Sequence, residues 1–302
     1  MEGVPEARAR PWPAREPAAR LVLAGAVGVA CLALIETAIA FIAPSRAPAD
    51  GDWQGVAAAV RAGFRAGDLI VAAPEWSDPV MRQYLGDLIP VSVAGRLDDA
   101  TFGRVWEVSQ RGAQAHQAGT IAFQQRFGAL TLRRIERPAA AIGYDFVEHW
   151  IDAGVSRVDR SGSVVACAKN GDRIQCPDVS WNFVRRQTVE VDTHLHQALL
   201  AQPVGGSTVA IEFPAVPLER ELTIGTGMHD VWMRKSARGT VDLQVVIDGH
   251  PAWKITTGND SGWKLSHIDT SALAGRTATV RFEITSPAPY ARHFVFAAEA
   301  RR

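Results

Sequence analysis

The chain has 302 residues, 47% of them hydrophobic, which is enough for two ordinary domains and a membrane anchor. Its 32 basic and 32 acidic side chains cancel, and no basic stripe interrupts the balance, so nucleic acid is excluded as an expected partner. No GxSxG, Walker, GxGxxG or HExxH pattern occurs, so the expectation is a non-catalytic protein without a cofactor.

The first element is Leu21–Ala43 (LVLAGAVGVACLALIETAIAFIA), apolar apart from Glu36 and Thr37 and long enough to cross a bilayer as a helix. Arg8, Arg10, Arg15 and Arg20 precede it, whereas Arg46, Asp50 and Asp52 follow. The arginine bias predicts a cytoplasmic tail over residues 1–20, a single transmembrane pass in the cell inner membrane, and extracytoplasmic domains beyond Pro44. Membrane lipid is thereby a partner of residues 21–43. A cleaved signal peptide is the rival reading, with Ala47-Pro48-Ala49 as a small-x-small cleavage site, but signal cores usually run only about 7–15 apolar residues. Glu36 is a carboxylate inside the span; it either reaches toward headgroups or contacts a partner membrane helix. Cys31, also in the span, acts as a small apolar residue.

Residues 52–137 read as a small α/β layer domain with a mostly parallel sheet. Trp53, Val56, Ala57, Val60 and Phe64 recur at helical spacing, with Asp52 as the N-cap. Leu69–Ala73 is a buried strand, and Asp78-Pro79 opens a helix running to about Gly86. Further strands are expected at Pro90–Ala94, Arg104–Ser109 and Ala129–Glu136, and a helix over the Ala- and Gln-rich Ala113–Phe127. The run DWQGVAAAVRAGFRAGDLIVAAPEWSDPVMRQYLG resembles the exported C-terminal part of multi-span glycosyltransferases that use polyprenyl-phosphate sugars. That resemblance implies an envelope setting and a shared domain. It does not carry over transferase activity, because the many-spanning catalytic region is missing from this sequence.

Residues 138–154 are expected to be a linker into a β-sandwich of jelly-roll type over residues 155–302. Within VVACAKNGDRIQCP two hairpin turns compete. Asn170-Gly171 as a type I′ turn pairs Cys167 with Ile174, while Gly171-Asp172 as a type II′ turn pairs Cys167 with Cys176. The second register puts both cysteines on a non-hydrogen-bonded pair, where backbones approach most closely, and predicts a Cys167–Cys176 disulfide in an oxidising compartment. Strands follow at Thr208–Phe213 and Glu219–Thr226 around a Pro214–Pro217 turn. Val241, Leu243, Val245 and Ile247 alternate with polar residues up to an Asp248-Gly249 hairpin turn. Trp253–Ile255, Trp263–Ile268, Ala278–Ile284 and His293–Ala298 complete the pattern of short strands. GTGMHDVWMRKSARGTVDLQVVIDG (Gly225–Gly249) and HIDTSALAGRTATVRFEIT (His267–Thr285) resemble the galactose-binding-like sandwich group, especially the carbohydrate-binding module first noted beside glycosidases. The resemblance implies the fold and, more weakly, glycan as a ligand.

The densest polar and aromatic cluster is His229, Asp230, Trp232 and Arg234. In a rim loop, Trp232 would stack on a sugar ring while Asp230 and Arg234 took hydroxyls; the alternative is a buried Trp beside a salt-bridged strand end. Asn259, Asp260, Trp263, Arg292 and His293 are secondary ligand candidates. Asp192, His194 and His196 share a face suited to a metal if they lie on a strand and diverge if Asp192 caps a helix; Asp260 offers one carboxylate for calcium, and no metal site is expected. The leading expectation is a membrane-anchored envelope protein with a carbohydrate-binding sandwich. The alternatives are an accessory subunit of a lipid-linked-sugar glycosyltransferase, with Glu36 contacting the membrane enzyme, and a structural protein-interaction module.

Overall fold

Helix α1 (Glu16–Ser45) contains Leu21–Ile39, a stretch long and apolar enough to cross a membrane, none of it buried against the rest of the protein. A membrane anchor and a signal sequence both answer that description. In the computed structural model the described residues are 16–45, 47–115, 117–229, 239–258, 261–287 and 293–302.

The next layer is built on α2 (Asp50–Gly63), whose Trp53, Val56, Ala57 and Val60 are buried, as their spacing demands. Asp52 is not the cap: it occupies the third helical position, where its carboxylate accepts the Ala49 N–H at 3.1 Å. β1 (Leu69–Ala73) is buried along its whole length and pairs in parallel with β2 (Arg104–Gln110). Between them run α3 (Asp78–Leu85) and the one-turn helix α4 (Val91–Ala94). The segment expected as a strand at Pro90–Ala94 is therefore helical, because the Pro90 carbonyl accepts the N–H groups of Val93 and Ala94 and closes the turn.

The Ala113–Phe127 helix is also overturned. Thr120–Phe127 is a strand, β3, joined to β4 (Leu130–Glu136) by a two-residue turn that pairs Phe127 with Leu130. Gly128 takes φ 52° in that turn, and a Cβ there would overlap the Asp52 carboxylate, so glycine is favoured on both counts. The sheet order is β1-β2-β4-β3 with only the first pair parallel, so the expected mostly parallel sheet is instead mixed. The physical reason is the β3–β4 hairpin, which returns β4 antiparallel beside β2. Trp106 of β2 is buried against α2 and donates its indole N–H to Asp68 Oδ2 at 2.8 Å.

β5 (Ile142–Asp145) lies within the segment expected as a linker and pairs with the last strand of the chain, while the adjoining Phe146 and Val147 enter the core. The sandwich then follows in chain order: β6 (Gly154–Asp159), β7 (Val164–Ala166), β8 (Ala168–Asn170), β9 (Arg173–Gln175), β10 (Phe183–Val191), β11 (His194–Ala201), β12 (Ser207–Pro217), β13 (Glu221–Met228), β14 (Val241–Ile247), β15 (His250–Thr257), β16 (Lys264–Asp269), β17 (Thr277–Thr285) and β18 (Phe294–Arg301). One sheet has the order β16-β13-β18-β11-β10-β9-β8, with β5 also on β18; the other runs β15-β14-β17-β12-β6-β7. Phe146, Phe213, Phe282 and Phe296 pack between them, with Phe146 edge-on to Phe213 at 4.9 Å and to Phe282 at 5.1 Å.

Turn chemistry follows the sequence in part. Asp248 and Gly249 both have positive φ, as a type I′ hairpin turn requires. Pro214–Pro217 is not a turn: β12 continues through it with a bulge between Phe213 and Val216, Ala215 taking φ 58°. Gly171 takes φ 62°, Asn170 pairs with Arg173, and Cys167 and Cys176 are bonded with Cα atoms 4.1 Å apart. The bridge sits where the chain passes from β7 in one sheet to β8 in the other.

β18 is buried on both faces because the α/β layer covers the outer face of its sheet. Gly95 O accepts the N–H of Gln197 on β11 at 2.6 Å. Arg301 forks onto Asp98 at 2.8 and 3.0 Å and also reaches Glu299 at 2.7 Å, with its own side chain 3% exposed. Burial alone would raise the Asp98 carboxyl, but the hydrogen bonds and charge of Arg301 hold it below its usual range; Glu299, where burial prevails over Arg301, stays above its own.

Two stability outcomes follow from these contacts. Replacing both cysteines with serine is expected to lower the unfolding free energy by about 2.5 kcal/mol through the lost loop constraint, and alkylation of unreduced protein should label Cys31 alone. Asp98→Ala leaves the Arg301 charge buried without its main partner and should cost about 3–5 kcal/mol, most of it recovered in Asp98→Ala/Arg301→Met. Urea titrations measure both, and an Asp98→Ala midpoint equal to wild type would contradict the second.

Candidate functional site

Residues two apart on a strand face the same way, and His194 and His196 do so on β11, toward the α/β layer. The turn before them is made by Asp192 and Thr193, both at positive φ, so the helix start expected as the alternative does not form. His194 Nε2 lies 2.5 Å from Glu75 Oε1. His196 stacks on Trp263 at 3.9 Å between ring centroids, and its Nδ1 faces the Arg96 carbonyl at 3.3 Å. Trp263 in turn donates its indole N–H to the Leu97 carbonyl at 3.1 Å. Its ring lies over Gly225 and Gly227 of β13, where any Cβ would run into it. The two histidines and Trp263 therefore join the two layers. Among the described residues, no group of three or more His, Cys, Asp or Glu side chains is placed to hold a metal.

Beside this junction lies a cleft of about 540 Å³, a size suited to a small ligand. Its floor is the carboxyl end of β1, Ile70–Ala73, with Pro74 and Glu75 beyond. One wall carries Asp78 and Arg82, a second Arg96, Asp99 and Gln117, and the β10–β11 turn closes the far side with Thr193–Leu195. The carboxyl edge of parallel strands is where α/β sheets commonly leave a crevice.

The polar groups of the cleft are engaged in pairs, two of them carboxylate–guanidinium. Asp78 meets Arg82 at 2.5 Å, Asp99 meets Arg96 at 2.5 Å, and Glu75 meets His194. Gln117 Nε2 donates to Asp99 Oδ2 at 2.5 Å while its carbonyl accepts from Arg137 at 2.8 Å. The result is a wall dense in hydrogen-bonding groups over a small apolar floor. Of these residues the sequence singled out only His194 as a site candidate; the signal for the others was a fully apolar strand ending at Ala73-Pro74, followed by a charged helix start.

Several described strand ends of the sandwich lie together at one end. β13 ends at Met228 opposite Phe294, where β18 begins, and Val241 at the start of β14 pairs with Thr257 at the end of β15. The connections between β13 and β14, β15 and β16, and β17 and β18 thus all leave from the same end. His229 donates its backbone N–H to the His293 carbonyl at 3.0 Å, and the His293 ring meets Gln202 Nε2 at 3.1 Å. Asp230, Trp232, Arg234, Asn259, Asp260 and Arg292 lie outside the described residues. Glu36 is exposed on α1.

No protein-family model matches the chain, and no curated protein matches it. Among solved structures it is similar to the CBM51 module of Clostridium perfringens GH95 in complex with methyl-galactose, at 11% identity and TM-score 0.28, over 55% of this chain and 94% of that one. It is also similar to the tandem CBM51 modules of Sp3GH98, the family 98 glycoside hydrolase of Streptococcus pneumoniae SP3-BS71, at 11% identity and TM-score 0.32, over 59% and 57% of the two chains. A third is the carbohydrate-binding module CBM36 in complex with calcium and xylotriose, at 10% identity and TM-score 0.23, over 38% and 87%. Scores this low assign no ligand to this chain.

The junction is pH-sensitive through His196. Burial pushes its pKa down to about 4, against the Arg96 carbonyl, which favours the charged ring; the charges of His194 and Arg96 deepen the shift. Nε2 is buried with no hydrogen-bond partner, so a second proton has nowhere to be shared. Between pH 6.5 and 4 the unfolded chain binds more protons at this residue than the folded one, so stability is full above 6.5 and falls on acidification, by about 3 kcal/mol at pH 4. His196→Gln should flatten that part of a stability-versus-pH curve. A slope identical to wild type would rule His196 out as its source.

Proposed function

We propose that this chain is an extracytoplasmic glycan-binding protein held at a membrane by Leu21–Ala43, with its ligand in the cleft at the carboxyl edge of β1. The observation that carries the reading is the cleft's self-neutralised wall. Ion-paired carboxylates and guanidinium groups, with the Gln117 amide between them, offer many donors and acceptors but little net charge. That arrangement suits a neutral polyhydroxylated ligand better than a phosphate or a metal. The pairing also supports binding rather than acid–base chemistry, because Asp78 and Asp99 are each engaged by an arginine and Glu75 and His194 by each other. The galactose-binding-like motifs of Gly225–Gly249 and His267–Thr285 point to the same ligand class. The competing location is the His229–Arg234 cluster singled out in the sequence.

The test is a glycan array probed with detergent-solubilised full chain, Gln117→Ala and Trp232→Ala. Loss of about one hydrogen bond predicts roughly tenfold weaker binding for Gln117→Ala and near wild-type binding for Trp232→Ala. The reverse pattern moves the site to the His229–Arg234 cluster. Silence of the wild-type chain on every envelope glycan sinks the reading.

A second reading is favoured by Glu36, an exposed carboxylate within an otherwise apolar span. In an accessory subunit of a lipid-linked-sugar glycosyltransferase it would meet a polar group of the membrane enzyme. Co-purification of such an enzyme, abolished by Glu36→Leu, is its signature.

A further inference from the structure

We infer that the carboxyl edge of the four-stranded sheet rests on the lipid surface, with Trp76 and Arg111 at the headgroups, so that the cleft opens toward the bilayer. This rests on the anchor reading of α1, and it does not depend on the ligand being a glycan.

The argument begins with the tether. Only residues 46–49 separate α1 from α2. At about 3.5 Å per residue, four residues hold the start of α2 within roughly 15 Å of the end of the anchor helix. α2 is not free to swing from that point. Trp53, Val56 and Val60 are buried against the sheet, and Asp52 accepts the N–H of Ala129 in the β3–β4 turn at 3.1 Å. The edge of the layer that carries the start of α2 is consequently the one nearest the lipid.

The packing of α2 identifies that edge. The C-terminal end of α2 lies at the beginning of β2: a Cβ on Gly63 would touch Trp106, and Arg104 donates to the Gly63 carbonyl at 2.9 Å. Its N-terminal end lies at the close of β2. Gly55 abuts Phe127, Phe127 pairs with Leu130, and Leu130 pairs with Gln110. α2 thus runs antiparallel to β1 and β2, and its tethered end shares an edge with their carboxyl ends. The cleft opens at that same edge, from Ala73, Pro74 and Glu75.

The side chains there suit a membrane interface. Trp76, next to Glu75, is 63% exposed, and the Arg111 guanidinium stands 5.9 Å from its ring centroid. Arg111 follows the last residue of β2, at φ 55°, and is exposed, as is Arg126 beside the β3–β4 turn. Indole rings partition to the headgroup region, and arginine pairs there with phosphate. The acidic groups of the edge are engaged: Asp50 by Tyr84 and Gln54, Glu75 by His194, Asp78 by Arg82. Only Asp78 is neutralised by its partner; Asp50 keeps its charge, at an edge that also carries the exposed Arg111 and Arg126.

The experiment uses the full chain labelled with 5-fluorotryptophan and reconstituted in phosphatidylcholine nanodiscs, with and without headgroup spin-labelled lipid. The fluorine resonance missing from Trp76→Phe identifies Trp76, and one missing from Trp106→Phe supplies the buried comparison. Spin-labelled lipid should broaden the Trp76 signal at least severalfold more than that of Trp106. Equal broadening overturns the inference, as does a sharp Trp76 signal that moves when a soluble glycan is added, which would make the edge a ligand subsite. A chain that does not co-elute with nanodiscs removes the anchor reading and this inference together. Co-elution with an unbroadened Trp76 removes the inference alone.

Discussion

The Arg301 guanidinium is clamped between Asp98 of the α/β layer and Glu299 of its own strand, almost wholly out of solvent. A charge so placed is tolerable only while both carboxylates remain in reach. The rest of the junction is arranged around that requirement. Gly95 adds a backbone hydrogen bond to β11, and Leu97 receives the Trp263 indole. His196 fills the space between Arg96 and that indole. Without the clamp the outer face of β18 and β13, which carries Thr223, Gly225, Gly227 and Ala297, would be a small-residue shelf open to water.

That junction also makes the candidate cleft. One wall belongs to α3 and the loop after α4, and the opposite wall is the tip of the β10–β11 hairpin. Neither layer holds the cleft by itself. Its geometry therefore depends on contacts at Arg301 and His196, which do not line it.

Much of the fold was legible in the sequence because local chemistry agreed with tertiary demand. Asp248-Gly249 and Gly171-Asp172 announce their turns, and Ala278, Val280, Phe282 and Ile284 mark the buried face of β17. Two of the expectations that failed did so for different reasons. Ala113–Phe127 has helix-forming composition, yet the Gly128 turn commits Thr120–Phe127 to pairing with β4. Pro90–Ala94 looks extended, but its backbone groups close on each other instead of on a neighbour. At Thr120–Phe127 a neighbouring strand overrides composition, whereas at Pro90–Ala94 local hydrogen bonds decide. The cleft was illegible because its walls come from distant segments. Glu75 and His194 are far apart in the chain, and only the curling of β10 and β11 over the sheet brings them together. Trp263 is a secondary ligand candidate from sequence, while its actual surroundings come from Leu97 and from glycines on another strand.

One edge of β18 is shared end to end by two strands: β11 occupies Phe294–Phe296 and β5 occupies Glu299–Arg301. Between them only Ala297 and Ala298 are left, and the Ala298 carbonyl is taken by Phe146 N–H. Sliding either strand by one pleat would drive it into the other's berth. Each thus acts as an end-stop for its neighbour, and a sheet with no turn linking β5, β11 and β18 directly still has one permitted alignment.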